Sequence, residues 1–162
     1  MIVVALDMGK KTGWAIQDAK GRVSSGEKVF TVALGESNGM LWLRYRGWLR
    51  ELLDLSGVKP LTGPSGMLAV ELPHHRGGPA TRVALGFLAV SQEEAESNGL
   101  AFSTVHSATL KKFVTGRGNA SKTEVMDVVR ARYKHFKNGG DNEADALGVL
   151  GWALAEIGER RP

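Results

Sequence analysis

The 162-residue chain contains no cysteine, which removes two classes at once: a disulfide-stapled scaffold and a thiolate metal site. Nor does it have an apolar run near the roughly 20 residues that cross a bilayer. Its opening stretch MIVVALDMGKKTGWAI places Asp7 where a signal peptide would need an unbroken apolar core. A cytoplasmic protein with no membrane partner is therefore expected. Aromatics are sparse at 7%, and no repeat, low-complexity tract or linker divides the chain. What remains is ordinary globular composition, 43% hydrophobic and 23% charged. A chain of this length can bury a core without staples, so one domain over residues 1–162 is expected.

The net charge of +4 is modest, but its distribution is uneven. Between Lys111 and Lys137 the basic residues are opposed only by Glu124 and Asp127. An excess of this kind attracts a phosphate backbone. By composition alone an ordinary solvated helix edge is the preferred reading.

The hydrophobic pattern sets out the elements. IVVALD is a β-branched apolar run and reads as a buried strand. MGKKTG makes a turn, WAIQD a returning strand, Gly21 a second turn and RVSSGEKVFTVA a third strand. Helical spacing runs from Gly39 to Leu55, with Trp48, Leu49, Leu52 and Leu53 on one face. KPLTGPSG is a loop, MLAVEL a strand, and Pro79 opens a helix carrying Val83, Phe87 and Val90. LAFSTVH reads as another strand. Ser121 and Glu124 form a capping box ahead of Val125, Val128 and Val129. Asn138, Gly139 and Gly140 lead into a last helix with Leu147, Leu150, Leu154 and Ile157 on its apolar face. The sum is an α/β protein: three antiparallel strands, then alternating strands and helices, with helices on both faces of a mixed sheet.

Four acids stand where elements end. Asp7 closes the first strand, Glu71 closes MLAVEL before Pro73, and Asp141 and Asp145 open the last helix at i, i+4 spacing on one face. Three of them have a plain structural explanation: a turn cap for Asp7, an N-cap for Asp141, a first-turn acid favoured by the helix dipole for Asp145. Their surroundings argue for chemistry, because apolar strands deliver Asp7 and Glu71, and Asp145 sits among Ala144, Ala146 and Leu147. Carboxylates gathered in this way repel one another unless a cation such as Mg²⁺ or Mn²⁺ neutralises them. His74, His75 and Arg76 read either as a DNA-touching loop or as a fortuitous metal-binding pair with no third zinc ligand. His106 ends a strand and has a structural reading.

The segment ALDMGKKTGWAI resembles the opening of the RuvC-like Holliday junction resolvases, in which Asp-x-Gly is followed by Thr-Gly and an aromatic. VELPHHRGG with TRVALGFLAV is similar to that family's second motif, HSATLKKFVTGRGNASK to its basic motif and DNEADALGVLGWAL to its last acidic helix. The four segments occur in family order and span nearly the whole chain. The resemblance implies a ribonuclease H-like fold and a crossover junction endodeoxyribonuclease active in DNA recombination and repair. It also implies two-metal phosphodiester hydrolysis with two Mg²⁺ or Mn²⁺ ions per site. Asp7, Glu71 and Asp145 would be metal ligands, with Asp7 bridging. The position three before Asp145, where relatives place an acid, is Asn142, so the fourth role falls to Asp141, with Asn142 as a weaker neutral ligand instead. Lys122 would offset charge at the scissile phosphate. Lys111 and its neighbour Lys112 would contact phosphate, with Gly116 and Gly118 letting Arg117 approach closely.

The implied partner is a four-way DNA junction, cut by a C2 homodimer. The helix after Pro79, with small residues Ala84, Gly86 and Ala89, is a candidate interface. Three other readings stay open: a ribonuclease H-like nuclease on RNA or RNA–DNA hybrid, a junction-binding protein weakened at Asn142, and an actin-like or sugar-kinase ATPase. The last needs two lobes and a second phosphate loop, neither of which the sequence offers, so no nucleotide cofactor is expected.

Overall fold

The computed structural model describes residues 1–58, 66–73, 77–136 and 138–159. In chain order the elements are β1 (Ile2–Asp7), β2 (Lys11–Gln17), β3 (Val23–Val29), α1 (Asn38–Ser56), β4 (Gly66–Glu71), α2 (Gly78–Ser97) and β5 (Ala101–Val105). They continue with α3 (Ser107–Thr115), α4 (Lys122–Arg132) and α5 (Asp141–Glu159). One five-stranded sheet runs β3-β2-β1-β4-β5. The first three strands are antiparallel, and β4 and β5 add in parallel beside β1. This is the mixed α/β sheet that the apolar runs predict. β1 is central, and its residues Ile2 to Leu6 are all buried.

Alternation along the strands sorts side chains into two apolar layers. Ile2, Val4 and Leu6 of β1, with Leu68 and Val70 of β4, face α1 and α2. Val3 and Ala5, with Met67 and Ala69, face α3, α4 and α5. Helices therefore cover both faces. In the first layer the Tyr45 and Phe87 rings stack at 4.0 Å, and the Tyr45 hydroxyl lies 2.7 Å from Ser91 Oγ. That bond satisfies a phenol that has no access to water. Glu94, 2% exposed, is neutralised there by Arg50 at 2.9 Å.

Local chemistry sets the helix limits. Ser37 caps α1 by accepting from the Gly39 N–H, and Gly57 ends it at φ 84°. Pro79 sits in the first turn of α2. The Ser121–Glu124 capping box is formed at α4. Two expectations need correction, and a third is extended. The segment from Ser107 to Thr115, read only as a basic motif, is the helix α3. Gly86 is not a free interface residue, because a Cβ there would lie 2.0 Å from Trp42 Nε1, so the missing side chain lets α2 pack on α1. On α5 the expected Leu147 and Leu150 are fully buried and Leu154 and Ile157 pack half-buried against the same core, but the face also takes in Ala144, Ala146, Val149 and Ala153. Among the described residues no helix is long and apolar enough to cross a membrane.

Candidate active site

The parallel ladder of β1 and β4 pairs Leu6 with Val70. Asp7 and Glu71, the next residue on each strand, therefore emerge side by side at one end of the sheet. Alternation aims both at the layer formed by α3, α4 and α5. The turn behind Asp7 is closed by buried Thr12, whose hydroxyl donates to the Gly9 carbonyl at 2.6 Å. α5 lies across β1 and β2, and its first turn approaches β2 at Gly13. A Cβ at Gly13 would fall 1.8 Å from the Asn142 carbonyl oxygen, so only glycine admits the helix this close. That approach brings Asp145 over the end of the sheet. Its neighbours Ala144 and Ala146 are buried.

The carboxylates feel burial and one another. Burial pushes Asp7 well above the ordinary carboxylate range, and the charges of Glu71, Asp145 and Asp141 raise it further. Asp145 is pushed up to about 7, by burial first and then by Glu71 and Asp141. Burial also raises Glu71, against which a hydrogen bond from Ser107 and the charges of Lys111 and Lys122 pull downward. Asp141 goes the other way: its hydrogen bond with Lys122 holds it below the ordinary range. Lys122 Nζ lies 2.6 Å from Asp141 Oδ2, and its charge also lowers Asp7 and Asp145. Among the described residues, no three His, Cys, Asp or Glu side chains are drawn close enough together to hold an ion as they stand.

Of the residues singled out from sequence, Asp7, Glu71, Asp141, Asp145, Lys111 and Lys122 are brought into one electrostatic neighbourhood. Lys111, Lys122, Glu71 and Asp145 line a cavity of about 80 Å³, together with Ser107 and Gly148. On its other side the end of the sheet opens to a groove of about 700 Å³, bordered by Asp7, Glu71, Lys10, Asn38 and the start of α2. Asn142 has its backbone against Gly13. Lys112 is exposed near the end of α3. Arg117 is paired with Glu124, the acid of the α4 capping box. Gly116 takes the left-handed φ of 82° that ends α3, and Gly118 backs onto the Ala108 carbonyl; each glycine has a local structural reason. His74, His75 and Arg76 lie outside the described residues. His106 precedes α3 and its carbonyl accepts from the Leu110 N–H, a structural role. Ser107 is the contact that sequence reasoning missed. Its signal was faint: a serine after a strand end, where a helix begins.

The sheet order, the two helical layers and the acidic end of β1 define a ribonuclease H-like α/β fold. Among solved structures similar to this chain is Thermus thermophilus RuvC, 21% identical, with 98% of this chain and 97% of that one covered at a TM-score of 0.73. T. thermophilus RuvC in complex with Holliday junction substrate is likewise 21% identical, with 98% and 96% covered at a TM-score of 0.75. No family model matches the chain, and comparison with the curated proteins gives no match.

Proposed function

We propose that this chain is a Holliday junction resolvase, an endonuclease that nicks four-way DNA junctions by metal-dependent phosphodiester hydrolysis. The observation that carries the reading is the cluster itself. Asp7 and Glu71 leave paired strands side by side, Asp145 stands near enough for the charge of Glu71 to raise it, and burial raises all three, which supports a shared ionic role. The cluster's position on a fold similar to that of a RuvC bound to Holliday junction substrate supports a four-way junction as the substrate.

The donor set fits a hard divalent cation such as Mg²⁺ or Mn²⁺, since it is all oxygen and too repulsive to stay fully ionised alone. Asp7, Glu71 and Asp145 would hold the metal, with Asp141 as the fourth ligand in preference to Asn142. When bound, the metal supplies an activated water and charge neutralisation at the leaving oxygen. Until then Lys122 is the cation that most directly answers the acids, through Asp141. Freed from Asp141, its ammonium would face the scissile phosphate and offset the charge that develops there. Lys111, whose charge already reaches Glu71 and Asp145, would hold a neighbouring phosphate. Arg117 would be a weaker phosphate contact, because Glu124 competes for it. Two matched nicks imply a C2 homodimer.

The test is cleavage of an end-labelled four-way junction beside linear duplex and RNA–DNA hybrid, with Mg²⁺ or Mn²⁺ and with EDTA. Paired nicks near the junction centre, lost in EDTA and in Asp7→Asn, are expected. Cutting of the hybrid alone would replace the substrate. Junction binding without cutting in either metal would identify a protein weakened at Asn142.

A further inference from the structure

The first turn of α5 is gripped from the edge of the sheet by contacts that the proposed chemistry does not use. Glu143 stands between Asn142 and Ala144, and Ser25 Oγ on β3 donates to its Oε1 at 2.6 Å. His135 Nε2 lies 3.1 Å from the same hydroxyl. The other Glu143 oxygen fills the space of a missing side chain, since a Cβ on Gly139 would sit 2.2 Å from Glu143 Oε2. Two residues further along β3, the Glu27 carboxylate lies over Gly140, where a Cβ would be 2.3 Å from its Oε1. Lys11 of β2 tethers Glu27 at 2.8 Å, while Glu27 Oε1 is buried with no hydrogen-bond partner. Together with the Gly13–Asn142 approach, these contacts hold Gly139, Gly140, Asn142 and Glu143, on both sides of Asp141.

Successive residues turn about 100° around a helix axis. Fixing Glu143 against β3 therefore fixes the directions of Asp141 and Asp145, two residues to either side. We propose that Ser25 and Glu143 are positioning residues whose hydrogen bond sets the rotation of this turn. Asp141 and Asp145 then face the same point as Asp7 and Glu71. The inference rests on reading those acids as divalent-ion ligands.

The experiment is a double-mutant cycle on the full chain, with Mn²⁺ affinity read from the paramagnetic resonance of free Mn²⁺ and the metal-free thermal midpoint read beside it. Ser25→Ala and Glu143→Ala are each expected to weaken Mn²⁺ binding on the order of tenfold, as loss of an outer support does. The double variant should be no weaker than either, because one bond is lost in all three. Glu143→Gln keeps an oxygen to accept from Ser25 and should stay within about twofold of wild type. Unchanged Mn²⁺ affinity in Ser25→Ala, or effects that multiply in the double variant, would overturn the proposal. So would a lowered thermal midpoint with affinity intact, the mark of a purely structural contact, and so would wild-type protein that binds no Mn²⁺. Junction cutting is scored separately. Wild type that binds Mn²⁺ and cuts nothing removes the resolvase reading, while the positioning role is still decided by the affinities.

Discussion

In the metal-free chain Asp145 pulls against the fold. Its carboxyl titrates near 7 when folded and near the ordinary 3.8 when unfolded, so between those values only the folded chain keeps the proton. Stability from this group is therefore highest below about pH 4 and falls as pH rises toward 7. Asp7 and Glu71 are raised too and add with the same sign. Asp18, Glu36, Glu124 and Asp141 are lowered, so their contribution is lost only as pH falls below the ordinary carboxylate range. The window from about pH 4.5 to 7 thus belongs to the site. The metal-free thermal midpoint should decline across it, and added Mg²⁺ should raise the midpoint more at the upper end. A scanning calorimetry series that stays flat or climbs in EDTA would contradict this. The same logic separates stability from function at one residue. Asp145→Asn removes the charge that burial disfavours, with a gain on the order of 2 kcal/mol at neutral pH, or roughly 4–8 °C in midpoint. It should also abolish junction cleavage. A variant both inactive and less stable would show that Asp145 is held by bonds its amide cannot replace.

Elements place these residues, and the tightest placement is the seat of α5 on β2. Gly13→Ala would set a methyl 1.8 Å from the Asn142 carbonyl oxygen, and both partners are backbone, so the helix must lift. Overpacking of this kind costs about 1–3 kcal/mol, and here it would also move Asp141 and Asp145. A thermal midpoint several degrees lower and weaker Mn²⁺ binding are expected together; an unaltered midpoint would mean that α5 is not seated on Gly13. Most elements were legible because apolar runs and caps announce them: IVVALD, MLAVEL, the Ser121–Glu124 box. α3 was not, since its nine residues offer one buried pair, Leu110 and Val114, and its N-cap His106 makes no side-chain cap. The α5 face was read only in part: Leu147 and Leu150 are buried as expected, but Ala144, Ala146 and Ala153 are fully buried too and weigh little in an apolar pattern. Gly86 was legible as small but not as turned toward Trp42. The acids stood out because strand ends and i, i+4 spacing are written in one dimension. Ser107 beside Glu71, Arg117 held by Glu124 and Ser25 beside Glu143 exist only once separate elements meet.

At the scale of the molecule, each chain presents its acidic cluster at one end of one sheet, whereas resolving a four-way junction requires two nicks related by two-fold symmetry. A C2 dimer answers that requirement, with the same patch on both subunits. With Gly86 turned inward, the outer side of α2 offers Arg82, Leu85 and Ala89, and Leu85 keeps 39% of its surface. An apolar side chain at the centre of a self-complementary patch is sensitive to like charge, because each substitution is met by its own copy. Wild-type protein should sediment at twice the 17.4 kDa chain, and Leu85→Glu at the single-chain mass with its thermal midpoint little changed. A dimer of this kind would govern the pattern of cutting. Wild type mixed with excess Asp7→Asn forms dimers with one working site, which should nick one strand of a junction and leave it unresolved. If the mixture still makes paired nicks, the two cuts come from independent chains and the symmetric dimer is not the working unit. If Leu85→Glu remains dimeric, the subunits meet elsewhere and α2 is free for the junction itself.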